Sequence, residues 1–363
     1  MPRTGFLNGF GFETLIAPCD RQTFLSEIWG RQPHLEARKL PDFYDGLLSI
    51  EDIDSVLARN SRNTANPGQG DLDIDAALRR LELGAALVLE EAQHQLPDLA
   101  LVCRTVQAEL GFRCSMAVEV TMPSNKPQPP EPLVGHTFVL QLSGRRHWNL
   151  ENPSLPEPFV LETGDLLYLP PGVSMHHRST GDMSIMVVLT ITPPRWVDMT
   201  GNRALANDIG LPKALSEALP PGWIKRDRAE LVSELARRWR QADDLSSVEA
   251  AVAQLIETEI RAFPVDMNGR LISTLHPGEM RAGMTFAARP DLLWTLQEQG
   301  SVMRLIAGPL TIDLTSDLVG AARFCLSQEK FSLDEIPGDL GRTDREALLD
   351  RLIRNGLVAV VGT

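Results

Sequence analysis

Cysteine is scarce and unpaired in this sequence of 363 residues. The four cysteines, at positions 19, 103, 114 and 325, are scattered without the short paired intervals of a zinc site. A chain of this length can bury a large core without disulfide bonds. We therefore expect free thiols, buried for the most part.

Long apolar runs are equally absent. Residues 185–189 and 357–361 are apolar, but both runs are far shorter than the roughly 20 residues that cross a bilayer as a helix. Near the start of the chain, Asn8, Glu13 and Asp20 interrupt the apolar segment that a secretory signal requires. These absences predict a cytoplasmic protein with no membrane partner.

Basic residues are fewer than acidic residues in this sequence. The chain carries 35 Lys and Arg residues against 48 Asp and Glu residues, for a net charge of −13 at pH 7. This balance argues against nucleic acid as a partner, and it favours a basic peptide or protein. With 43% hydrophobic and 23% charged residues, the composition is that of a soluble globular protein.

Local patterns predict helices and strands along most of the chain. Ser49 and Asp52 fit a capped helix start, residues 99–110 have apolar side chains at helical spacing, and residues 116–122 alternate as a strand does. Ser246 and Glu249 form a capping box before an apolar helical stripe. Further on, strands are predicted at 292–296, 302–306, 310–314 and 357–361, and helices at 317–326 and 343–355.

Two motifs carry the most information. Residues 138–148 read FVLQLSGRRHW, and residues 164–177 read GDLLYLPPGVSMHH. Short apolar segments between frequent Gly and Pro turns in this region favour a β-sandwich or barrel. A Walker phosphate loop, a Gly-x-Ser-x-Gly nucleophile elbow and a His-Glu-x-x-His zinc motif are all absent.

These motifs resemble the core of the JmjC-type cupin hydroxylases, Fe(II)/2-oxoglutarate oxygenases that include the ribosomal-protein hydroxylases. The resemblance begins at the Trp29 turn and includes the Thr121-Met-Pro run. It implies an α+β chain with a mainly β core, a double-stranded β-helix of the cupin or jelly-roll kind. The implied domains are a cupin domain with N-terminal helices (1–198), a helical linker that forms a homodimer (199–280) and a winged-helix-like domain (281–363).

The resemblance also implies an iron site, in which two histidines and one carboxylate hold Fe(II) beside 2-oxoglutarate. The family carries two of these ligands as His-x-Asp on one strand, where residues i and i+2 share a face. Counting back from Phe138 puts Glu131 and Leu133 at those two positions. Glutamate can ligate a hard cation and leucine cannot, so the motif is degenerate.

The third ligand is expected after the Pro-Pro-Gly turn. The usual spacing falls on Met175, and a one-residue insertion brings His176 into place, with His177 as the other candidate. Adjacent residues of an extended strand point to opposite sides, so at most one of the two histidines faces the pocket, and we predict His176. His136 could replace a ligand, in a triad with Glu131 and His176, only through a β-bulge.

Arg146 is the predicted 2-oxoglutarate residue. In the family that this chain resembles, the second basic residue after the motif glycine, Gly144 here, anchors the distal carboxylate of 2-oxoglutarate. That residue is Arg146 in this chain. A guanidinium can bind a carboxylate through two parallel hydrogen bonds. The alternative is a solvated arginine at a strand end.

Two main functions remain open at this point. The first is an Fe(II)- and 2-oxoglutarate-dependent hydroxylase-like protein that acts on a protein or peptide side chain through an atypical metal site. The second is a catalytically silent relative, a pseudoenzyme that binds a peptide or partners an active homologue. A third is metal-free acid–base chemistry through Glu131 or His176.

Overall fold

The computed structural model describes residues 5–62, 74–123, 133, 135–150, 155, 158–179, 181, 183–200, 213–238, 245–266, 284–300 and 302–362. The chain divides into two compact units, Met1–Pro193 and Pro194–Thr363. The first boundary lies near the predicted end of the cupin domain at residue 198. The predicted boundary between residues 280 and 281 lies outside the described residues.

Helices lead into the first unit. They are α1 (Phe12–Ile16), α2 (Arg21–Thr23), a π-helical turn (Phe24–Ile28), α3 (Ile50–Arg62), α4 (Ile74–Glu82) and α5 (Pro97–Leu110), with 3₁₀ turns at Gly5–Leu7 and Ala92–His94. The predicted start of α3 is confirmed, because the Asp52 carboxylate accepts bonds from the Ser49 amide and hydroxyl. The helix predicted at 99–110 is confirmed as α5, which ends at Gly111 in the left-handed conformation.

The strands of the first unit form two antiparallel sheets. They are β1 (His34–Glu36), β2 (Leu87–Leu89), β3 (Arg113–Thr121), β4 (His136–Ser143), β5 (Arg146–Leu150), β6 (Phe159–Leu161), β7 (Leu166–Leu169), β8 (Met175–Ser179) and β9 (Ser184–Thr192). The larger sheet has the order β1-β7-β4-β9-β3-β2, and the smaller has the order β6-β5-β8.

The two sheets face each other across one apolar cluster. Val139, Leu167, Leu169 and Met186 come from the larger sheet, and the smaller sheet contributes Trp148, Leu150, Phe159 and Leu161. The opposite face of the larger sheet is also buried, which is why all four residues of β7 are inaccessible. The larger sheet therefore has an inner face toward the barrel and an outer face that carries aromatic residues from the N-terminal segment.

Glycines fix two turns of the barrel. Gly144 connects β4 to β5 at a φ of +71°, and a Cβ there would lie 2.5 Å from the Met183 carbonyl oxygen. Gly164 precedes β7 at a φ of +93°, and its Cβ would lie 2.0 Å from the Leu40 carbonyl oxygen. Both motif glycines are therefore required by backbone conformation and by space.

The second unit begins with helices: a 3₁₀ turn (Trp196–Thr200), α6 (Lys213–Ser216), a 3₁₀ turn (Trp223–Lys225), α7 (Arg228–Arg238) and α8 (Leu245–Ala262). The strands that follow are β10 (Thr285–Ala288), β11 (Trp294–Gln299), β12 (Val302–Ala307) and β13 (Leu310–Leu314). The unit ends with α9 (Val319–Ser327), a 3₁₀ turn (Leu333–Glu335), α10 (Arg342–Arg354) and β14 (Val358–Gly362).

Strands β11, β12 and β13 form one antiparallel sheet, and β10 pairs with β14 in another. Their core includes Phe286, Leu305, Ala322, Leu349 and Leu352. The helices and strands predicted for this region are confirmed to within a few residues. The winged-helix arrangement itself stays a prediction.

The thiols agree with the expectation from the sequence. All four cysteines are free, with Cys103, Cys114 and Cys325 buried and Cys19 half-buried. Within the described ranges, we find no helix with the combined length and apolar character needed to span a bilayer.

Candidate functional site

The register of β5 and β8 defines which side chains face the barrel interior. On β5, Arg146 and Trp148 are fully buried. In the antiparallel pairing, Trp148 lies opposite His177, and Leu150 lies opposite Met175. Directly opposed residues share a face of the sheet, so Met175 and His177 point into the barrel with Trp148.

The prediction that His176 rather than His177 faces the interior is wrong. His177 is 8% exposed and its ring centroid lies 4.7 Å from that of Trp148. His176 is half-buried and pairs with the exposed Asn149, on the opposite face of the strand. The reason is that β8 contains no one-residue insertion: the inner positions are Met175, at the usual spacing, and His177 two residues later.

Arg146 lies at the centre of the inner polar network. Its Nη1 atom is 2.5 Å from the Glu119 Oε1 atom, in an ion pair whose side chains are 0% and 13% exposed. The alternative of a solvated strand-end arginine is therefore wrong. Burial lowers the pKa of Arg146, and the carboxylate of Glu119 opposes that shift. An arginine remains charged under these conditions.

Every N–H of this guanidinium has an acceptor within the chain. A guanidinium has five such donors. Nε donates to the Ser184 Oγ atom at 2.9 Å, and Nη1 donates to Glu119 and lies 3.4 Å from the His177 Nδ1 atom. Nη2 donates to the carbonyl oxygens of Glu119, at 3.3 Å, and Ser184, at 3.5 Å. The predicted carboxylate anchor is thus already saturated.

His177 is a neutral imidazole in this setting. Burial lowers its pKa to about 4; the Glu119 carboxylate raises the pKa and the Arg146 guanidinium lowers it. A guanidinium can only donate, so the Nδ1 atom of His177 accepts the hydrogen bond from Arg146. The single ring proton of the neutral imidazole therefore lies on Nε2.

Gln141, the motif glutamine, supports the network from β4. Its Nε2 atom donates to the Ser184 Oγ atom at 2.8 Å and to the Ser143 carbonyl oxygen at 2.7 Å. Among the described residues, Gln141 Oε1, Thr121 Oγ1 and Trp148 Nε1 are buried without a hydrogen-bond partner. Because buried polar atoms nearly always form hydrogen bonds, we expect water or a polar ligand atom to bond to these three atoms.

The described residues do not fit the usual iron site. Leu133 packs against the apolar cluster between the sheets, and Met175 holds the inner position at the spacing expected for a histidine. Over the described part of the chain, no three His, Cys, Asp or Glu side chains come together as metal ligands. Glu131, the predicted carboxylate ligand, lies outside the described residues.

His136 does not rebuild the site. It lies on the outer face of the larger sheet, where its ring stacks on Trp29 at a centroid distance of 3.8 Å. Its Nδ1 atom is 2.8 Å from the Tyr168 hydroxyl, which accepts a bond from the Gly30 amide at 2.7 Å. His136 thus faces away from the barrel interior, and it is not brought together with His176.

Glu119 and Ser184 are the site residues that the sequence did not predict. A signal was present for Glu119, because it lies between two valines in an alternating strand and must face away from them. That alternation does not reveal which residue on another strand Glu119 meets. Its pairing with Arg146 depends on the closure of the barrel.

Comparisons with known proteins agree with this architecture. No protein-family model matches the chain. An Aedes aegypti protein named bifunctional lysine-specific demethylase and histidyl-hydroxylase NO66 is 25% identical over 81% of this chain and 54% of its own length. Mouse ribosomal oxygenase 2 is 24% identical, over 50% of this chain and 46% of its own. The chain thus spans about half the length of these curated relatives.

Solved structures extend the similarity to nearly the whole chain. The Escherichia coli ribosomal oxygenase YcfD, in complex with cobalt and 2-oxoglutarate, aligns with a TM-score of 0.53 at 14% identity. The alignment covers 95% of this chain and 99% of YcfD. The two facing antiparallel sheets and this alignment define a cupin-type barrel protein. With the curated relatives, they support the ribosomal-oxygenase-like JmjC cupin family for this chain.

Proposed function

We propose that this chain is a hydroxylase-like JmjC cupin protein that acts on a side chain of a protein or peptide. The observation that carries the proposal is the similarity, over 81% of this chain, to a protein named histidyl-hydroxylase, and the alignment with YcfD adds a shared fold. Relatives named histidyl-hydroxylase and ribosomal oxygenase support a protein substrate. The net charge of −13 favours a basic one.

Fe(II) and 2-oxoglutarate are the cofactors that the family implies, and the cobalt and 2-oxoglutarate complex of YcfD supports them. In this chain an iron site would be atypical. Its proposed donors are Glu131 and His177, the inner imidazole of β8. The role of Arg146 as the 2-oxoglutarate residue also stays a proposal.

Anaerobic reconstitution with Fe(II) tests this proposal. If the chain is an oxygenase, metal analysis gives stoichiometric iron, and succinate is released when 2-oxoglutarate and a basic ribosomal-protein peptide are added. His177→Ala is the test variant and His147→Ala, on the same sheet but half-buried on its other face, is the matched control. Absence of iron at micromolar concentrations would contradict the oxygenase.

The saturated guanidinium favours a second candidate, the catalytically silent relative that binds a peptide or partners an active homologue. The loss of the usual iron ligands should weaken iron binding strongly, since even changes beside a metal ligand weaken metal binding about 10–100-fold. Peptide binding without iron and without succinate release would support this candidate. Succinate release coupled to peptide hydroxylation would exclude it.

Restoring the usual ligands provides a positive test of the strand registers. We expect the combined change Glu131→His, Leu133→Asp and Met175→His to create stoichiometric Fe(II) binding. Met175 lies on the inner face, and strand alternation in the sequence predicts that positions 131 and 133 share one face. The two-residue variant that keeps Met175 is the control, and it should bind more weakly. A folded triple variant that stays free of iron would contradict these registers.

We propose a homodimer formed through the helical region of residues 199–280, as the family resemblance implies. The helices α9 and α10 with the pair β10 and β14 support a winged-helix-like C-terminal region. We also propose a cytoplasmic location. Light scattering on the purified chain tests the dimer, and a monomer would contradict it.

A further inference from the structure

We propose that Glu119 is a built-in competitor for 2-oxoglutarate at Arg146. The inference rests on the proposed function in one respect: the family resemblance assigns Arg146 to the distal carboxylate of that cosubstrate. In this structure the carboxylate of Glu119 already forms an ion pair with the guanidinium of Arg146. An incoming dicarboxylate must displace Glu119 before it can bind Arg146.

The backbone fixes Glu119 opposite Arg146. Glu119 lies on β3, where pairing with Val88 on one side and Met186 on the other fixes its backbone position. Arg146 also donates to the Glu119 carbonyl oxygen. The guanidinium therefore contacts both the carboxylate and the main chain of the same residue.

The charge balance of the site points to the same conclusion. The barrel interior gains one positive charge from Arg146 and one negative charge from Glu119, and the two form an ion pair. No unpaired positive charge is left among these groups to attract a dianion. A dicarboxylate that enters with Glu119 in place brings like charges together in a medium where they interact strongly.

Competition does not require that Glu119 is immovable. Its side chain is 13% exposed while that of Arg146 is 0% exposed, so Glu119 is the partner that can turn away. Displacement leaves Glu119 without its partner and uses part of the binding free energy of the ligand. The expected consequence is weak 2-oxoglutarate binding in the native chain and tighter binding when Glu119 is removed.

Titration of 2-oxoglutarate and succinate into the purified full chain, without metal, tests the inference. We expect Glu119→Ala to bind both dicarboxylates on the order of 100-fold more tightly than the native chain, since truncation at a buried charge pair has effects of that size. Adding Arg146→Met to this variant should abolish the gain. Glu119→Gln, which keeps the shape of the side chain, is the second variant if Glu119→Ala does not fold.

Glu109→Ala is the matched control, because Glu109 also forms an ion pair with an arginine, Arg21, but outside the barrel interior. It should leave dicarboxylate binding unchanged. Equal binding by the native chain and a folded Glu119 variant would overturn the inference, and so would absence of binding in both. Because the titration uses no iron and no peptide, its failure is distinct from failure of the proposed function.

Discussion

The two faces of the larger sheet both bury polar groups, but they satisfy them by different means. On the outer face, Gly30, Tyr168 and His136 form a chain of neutral hydrogen bonds beneath the ring of Trp29. On the inner face, the chain buries the ion pair of Arg146 and Glu119.

The difference separates a structural cluster from a candidate site. A neutral chain of hydrogen bonds between aromatic rings is inexpensive to bury and holds the N-terminal segment on the barrel. A buried ion pair adds little net stability compared with apolar residues of the same volume. We therefore interpret the buried ion pair on the inner face as part of a ligand-binding site.

The largest expected effect comes from breaking the inner pair. Arg146→Ala should lower the free energy of unfolding by about 3–5 kcal/mol, because it leaves the Glu119 carboxylate buried without a partner. Combining it with Glu119→Leu should recover much of the loss. Urea denaturation of both variants measures the effect.

Arg21→Ala is the control for that experiment. It removes a partly exposed ion pair with Glu109, whose side chains are 31% and 26% exposed, and should cost about 1 kcal/mol or less. A loss in Arg146→Ala that is no larger than in this control would contradict the burial of charge on the inner face.

Removing the stacked ring should damage the outer face alone. Trp29→Ala is expected to cost about 3 kcal/mol of unfolding free energy, since the ring packs against His136, Phe112 and Tyr168. Dicarboxylate binding to Arg146 should not change. Altered binding with unaltered stability would show that the two faces do not have separate roles.

The smallest effect concerns the pH dependence of stability. Burial lowers the pKa of His136 to about 4 from an ordinary value of 6.5. As the pH falls, His136 is therefore protonated in the unfolded chain before it is protonated in the folded chain. Its contribution to the free energy of unfolding is intact above pH 6.5 and is lost as the pH falls from 6.5 to 4. Between pH 7 and pH 5 the native chain should lose about 2 kcal/mol through this residue.

His136→Phe should remove that part of the pH dependence while keeping an aromatic ring against Trp29. His177 has a similarly lowered pKa, so a dependence of comparable size should remain in the variant. Thermal denaturation of both proteins at a series of pH values provides the measurement. A variant with the full pH dependence of the native chain would show that His136 does not titrate as described.

The sequence predicted the barrel because its signals are local. The glycines at 144 and 164 are required by turn conformation, and the buried strand of residues 166–169 lies between two turns. Helical spacing likewise predicted α5, and Gly356 marks the end of α10 through a left-handed backbone.

The candidate site was harder to predict because it depends on register and closure. A shift of one residue exchanges the two faces of a strand, and that is why the sequence predicts His176 where His177 is the inner residue. The ion pair joins Glu119 on β3 to Arg146 on β5, and alternation within one strand does not reveal a partner in another sheet.

Nuclear magnetic resonance of the arginine side chains is the most direct test of the inner face. In the native chain labelled with ¹⁵N-arginine, the Nη protons of Arg146 should exchange slowly with water, and Glu119→Ala should remove that protection. Arg146→Lys assigns the resonance by its disappearance. If the Arg146 guanidinium of the native chain exchanges as fast as exposed arginines do, it is not saturated by the chain, and the account is contradicted.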